Sequence, residues 1–104
     1  MHVPAGVVKQ AEIARGVASV EREMAPDVVR IRHSFGSDWS GDEAIFFRIV
    51  LSDQASREDR LPAVSDQVTS RLAEELNLAD TGLLPYFSFR SESEQATLND
   101  EGWS

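Results

Sequence analysis

Glu43 to Ser52 reads EAIFFRIVLS, and this stretch decides the fold. In an extended chain Ile45, Phe47, Ile49 and Leu51 fall on one face, while Phe46, Arg48 and Val50 fall on the other. Apolar residues on both sides mark a strand in the middle of a sheet. Upstream, Val28 to Phe35 (VVRIRHSF) alternates with one wet side. Val29, Ile31 and Phe35 point one way with His33 between them, and Arg30, Arg32 and Ser34 point the other, which predicts a half-buried strand. Downstream, Leu84 to Ser91 (LPYFSFRS) sets Phe87 and Phe89 against Tyr86, Ser88 and Arg90, a third strand.

Two helices flank these strands. From Ala5 to Ala25, the residues Ile13, Val17, Val20 and Met24 form one stripe, and Pro26 ends the run. Gly16 costs that helix about 1 kcal/mol relative to alanine. A second stripe runs through Leu61, Val64, Val68, Leu72 and Leu76, with Asp59 as its expected N-cap and Pro62 in the first turn. The order is α-β-β-α-β. A short loop makes the first two strands an antiparallel hairpin, and the helical crossover makes the second and third parallel and right-handed. The expectation is an α+β two-layer sandwich, with two helices on one face of a three-stranded mixed sheet. Residues 1–91 form that single domain, and residues 92–104 an acidic tail, either disordered or a short helix.

Composition narrows the function. The absence of cysteine excludes disulfides, zinc-thiolate sites and thiol nucleophiles. A net charge of −8 disfavours nonspecific binding to nucleic acid or to an anionic membrane. The opening MHVPAGVVKQAE has no signal-peptide pattern, and no apolar window is long enough to span a bilayer, so a cytoplasmic protein is expected.

The loop Phe35 to Glu43, FGSDWSGDE, invites a metal or nucleotide reading. Asp38, Ser40 and Asp42 have calcium-loop spacing, but Glu43 stands where the turn glycine belongs and Ile49 where the bidentate glutamate belongs. Gly36-Ser37 is not followed by paired carboxylates on the next strand, so phosphoryl chemistry lacks its metal ligands. A glycine-lysine phosphate loop and a glycine-flanked serine elbow are both missing. His33 reads as a structural histidine on the apolar face. No catalytic residue, metal or cofactor is expected. Asp38, Ser40 and Asp42 read instead as caps of a turn, with Trp39 a candidate contact anchor.

With both helices on one face of the sheet, the opposite face is expected to have no cover within the chain, and it carries the most interest. It collects Arg30, Arg32, Arg48 and Arg90, four of the ten basic residues, with Ser34, Phe46, Val50 and Tyr86. Such a face fits a solvated surface paired with the acidic tail, a protein interface that includes a homodimer, or a platform for single-stranded nucleic acid. Nucleic acid is the least favoured, since the rest of the surface repels phosphate and the chain has one lysine.

The run Gly36 to Asp53 (GSDWSGDEAIFFRIVLSD), the leucine-spaced helix and Pro85 to Ser91 (PYFSFRS) together resemble a group of small bacterial proteins. The resemblance covers about Val28 to Trp103. It implies a chain encoded beside a HEPN-like helical protein, as the small acidic partner in a toxin-antitoxin or defence pair. The element order is also similar to type II KH domains, but one helix fills the region where their G-X-X-G clamp would lie. The resulting expectation is a noncatalytic module that binds a protein partner, with a small RNA-binding module as the alternative. The expected contact residues are Arg30, Arg32, Trp39, Phe46, Arg48, Tyr86, Arg90 and Trp103.

Overall fold

The computed structural model describes residues 10–104. Helix α1 spans Gln10–Glu23, strand β1 Val28–Ser37, strand β2 Glu43–Leu51 and helix α2 Leu61–Glu75. A single turn, α3 (Leu78–Thr81), leads into strand β3 (Leu84–Ser91) and helix α4 (Glu92–Leu98), and a 3-10 turn closes the chain at Glu101–Trp103. The sheet order is β1-β2-β3, antiparallel in the hairpin and parallel across the crossover. The expected α+β order and mixed sheet are therefore present, with β2 in the middle. Ala5 to Lys9 of the expected first helix, and His2, lie outside the described residues.

The core lies between the helices and one face of the sheet. Ile45, Phe47, Ile49 and Leu51 of β2 are sealed by Ile13, Val17 and Val20 of α1 and by Val64, Val68 and Leu72 of α2. Phe47 stacks on Phe87 with ring centroids 5.1 Å apart, which ties β3 to the centre. Gly16 faces the end of α2: a Cβ there would overlap the Leu76 Cδ2, so the leucine side chain would have to shift. Arg71 then clamps the two helices, donating to both Glu23 oxygens at 2.6 and 2.9 Å.

Three local readings need correction. The β1 register shifts between Val28 and Arg30, so Val28 is buried in the core and Val29 turns to the opposite side, beside Arg30 and α4. A bulge adds one residue to one strand and flips the alternation there. Helix α2 takes Arg60 rather than Asp59 as N-cap, without a side-chain capping bond. Arg60 is instead held by Asp27, which accepts from its two terminal nitrogens at 2.8 and 3.3 Å, and Asp59 pairs with Arg57. The third correction concerns the sheet face away from the helices, which was expected to lack cover within the chain. Residues 92–104 cross half of it. Helix α4 starts at a capping box: the Ser91 hydroxyl accepts from the Glu94 N–H, and the Glu94 carboxylate accepts from the Ser91 N–H. The 3-10 turn after it brings Trp103 down onto the sheet, where it is 8% exposed.

Candidate functional site

The register sorts the outer face into rows. Arg30, Val50 and Arg90 form one row, and Arg32, Arg48 and Ser88 the next. Ser34, Phe46 and Tyr86 follow, then Gly36, Ala44 and Leu84. Strand alternation alone brings these side chains to one side. Of the eight residues expected at the site, Arg30, Arg32, Arg48, Arg90, Phe46, Tyr86 and Trp103 share this face, whereas Trp39 stands apart on the hairpin loop.

The two arginine rows form a shelf that receives residues 100–104. Three guanidinium Nε groups donate to three consecutive main-chain oxygens: Arg48 to Gly102 at 2.6 Å, Arg30 to Trp103 at 2.9 Å and Arg32 to Ser104 at 2.6 Å. The Arg90 guanidinium lies 4.2 Å from the centre of the Trp103 ring. It also donates to Gln95 Oε1 at 3.0 Å and faces the Asp100 carboxylate at 3.6 Å. Gln95 is buried and returns a bond from its amide to the Asp100 carbonyl. Val50, fully buried in the same row, is covered by this arrangement. Sequence reading missed Gln95 and Asp100 here; the Ser91-x-x-Glu94 spacing was the signal that residues 92–98 would be helical.

The two remaining rows stay open. Phe46 and Tyr86 stack with centroids 5.4 Å apart and ring planes 19° off parallel. Tyr86 and Leu84 are exposed beside them. The hairpin loop closes the far end through Asp38. Its Oδ1 accepts from the Ser40 N–H at 2.9 Å, the Ser40 hydroxyl at 2.7 Å and the Asp42 N–H at 3.0 Å. Its Oδ2 accepts from the Tyr86 hydroxyl at 2.8 Å. The Ser40 and Tyr86 hydroxyl bonds lower the Asp38 pKa to about 2, and the same bond raises that of the Tyr86 phenol. Gly41 at φ 90° supplies the left-handed residue that the turn requires. The loop is thus tied within itself and to β3, yet Trp39 at its tip is 94% exposed.

His33 lies on the helix side of the sheet, its ring edge-on to Phe35 at 5.7 Å. Burial first, and the Arg48 charge second, lower its pKa and favour the neutral ring. Among the described residues no cluster of ligating side chains has the geometry to hold a metal ion, and no helix is long and apolar enough to cross a membrane. No protein-family model, curated protein or solved structure matches the chain.

Proposed function

We propose that the chain is a noncatalytic module that binds a protein partner, acting as the antitoxin-like or accessory member of a bacterial pair. The observation that carries this reading is Trp39, 94% exposed on a loop held by at least four bonds to one carboxylate. A mobile tryptophan would lose freedom on binding, whereas a side chain on an already ordered loop loses less. Tryptophan is also enriched among the residues that dominate binding energy. Beside it, the stacked pair Phe46–Tyr86 and the exposed Leu84 supply an apolar patch at the open end of the sheet face. The HEPN-like protein implied by the sequence resemblance is the partner to test.

The test is co-expression with the protein encoded beside this chain. A complex is expected, and Trp39→Ala should weaken it by at least tenfold in Kd. A complex that Trp39→Ala leaves unchanged would remove the loop from the interface, and failure to co-purify would sink the pairing. Single-stranded RNA binding has less support, because the chain carries a net charge of −8 and one lysine, so the surface beyond the arginine rows repels the phosphates of a strand. It predicts RNA retardation that weakens steeply with salt.

A further inference from the structure

The ion pairs of this acidic chain are unevenly distributed. Arg57, Arg60, Arg71 and Arg90 each have a carboxylate within ion-pair distance. Arg30, Arg32 and Arg48, like Arg15 and Arg22 of α1, have no aspartate or glutamate within that distance among the described residues, although the chain holds 18 carboxylate side chains. Residues 1–9 contain neither aspartate nor glutamate, so they cannot supply one. Arg32 and Arg48 are direct cross-strand partners, an arrangement of like charges that disfavours a sheet. Arg30 is on the same face in the adjoining row.

The main-chain oxygens of residues 102–104 fix all three guanidinium groups by their Nε atoms. The Gly102 and Trp103 carbonyls are neutral, so they orient Arg48 and Arg30 without cancelling their charge. Arg48 spends one terminal nitrogen on the Ser34 hydroxyl at 3.0 Å, and Arg32 has one long contact, at 3.5 Å, to its neighbour's carbonyl. The other terminal N–H groups are not engaged in any hydrogen bond among the described residues. Guanidinium forks match the oxygens of carboxylate and phosphate.

We infer that Arg30, Arg32 and Arg48, oriented by residues 102–104, form a binding site for an oxyanion, a phosphate or carboxylate group carried by a ligand. The docked segment forms one wall of the site, and the Ser34–Phe46–Tyr86 row continues the face on the other side. The inference does not depend on the partner being a protein, so it stands or falls separately from the function proposed above.

The test is calorimetry and thermal unfolding of the full chain with inorganic phosphate in one arm and succinate in the other. Sodium chloride at equal ionic strength is the reference. Saturable binding of either anion, with a rise in Tm beyond the chloride reference, is expected. Arg48→Gln should weaken it at least tenfold, while Arg15→Gln, on the exposed side of α1, should leave it unchanged. Arg32→Gln gives a second variant, at an exposed position, should Arg48→Gln perturb folding. The preferred arm identifies the class of ligand group. Equal effects of phosphate, succinate and chloride would overturn the site, as would anion binding that survives both Arg48→Gln and Arg32→Gln.

Discussion

Replacing Trp103 by alanine tests whether one side chain holds residues 100–104 on the sheet. A tryptophan buries about 150–250 Å². At roughly 25 cal/mol per Å², the indole contributes about 4–6 kcal/mol, an upper figure because unfolded chains already bury some surface. The Arg90 contact adds about 1 kcal/mol. The full sum will not appear as lost stability, because the segment has an alternative. If it lets go, each freed residue regains about 1–2 kcal/mol of backbone entropy, set against the loss of the three arginine bonds. The cost is therefore capped near the net free energy of docking, and a loss of about 2–4 kcal/mol is expected. Urea unfolding followed by circular dichroism measures it. The urea slope should fall as well, since the native variant already exposes surface that the parent buries. Amide exchange should quicken for residues 100–104 and leave β2 protected. A loss below about 1 kcal/mol, or unchanged exchange across the segment, would refute the idea that Trp103 anchors it.

Other outcomes follow from the same contacts. Trp39→Ala should change stability by no more than about 0.5 kcal/mol, since the ring touches little, while the affinity for a partner drops; urea melts and binding isotherms separate the two. Phe47→Ala removes a core ring that is 1% exposed and stacked on Phe87, so a loss of about 3–5 kcal/mol is expected in the same melts. The Asp38 carboxyl, lowered to about 2, stabilises the folded loop fully above its unfolded value of about 3.9, and that contribution disappears as pH falls through the folded value. A carbon-13 titration should place its midpoint near 2, and a midpoint near 4 would disprove the bond network. The Tyr86 phenol is raised, so its contribution is present below the ordinary tyrosine range and lost as pH rises through the higher folded value. Asp38→Asn should bring the ultraviolet titration of Tyr86 back down.

The architecture was legible in Glu43 to Ser52 because two-sided apolar alternation has one stable place, the middle of a sheet. The stripes at Ile13–Val20 and Val64–Leu72 were equally legible, since helical spacing and burial agree there. The bulge at Val29 was not, because Val28 and Val29 are the same residue type, and which of them faces the core is decided only against the partner strand. The N-cap was misread for a related reason. Asp59 has the right chemistry for a cap, but the pull of Asp27 on Arg60 comes from residues more than thirty positions away.

The candidate site divides along the same line. Alternation placed Arg30, Arg32, Arg48 and Arg90 on one face, and turn chemistry assigned Asp38 and Ser40 to capping the hairpin. Both are nearest-neighbour properties of the chain, and the sequence by itself determines them. What those arginines meet was decided only in three dimensions. Gly102, Trp103 and Ser104 lie more than fifty residues from the arginines that bind their oxygens. Main-chain carbonyls carry no side-chain signature, so no pattern in the sequence announces them as partners. The fold turned an acidic stretch into a cover held chiefly by a tryptophan and its backbone, and it left Arg30 and Arg48 without an aspartate or glutamate partner among the described residues.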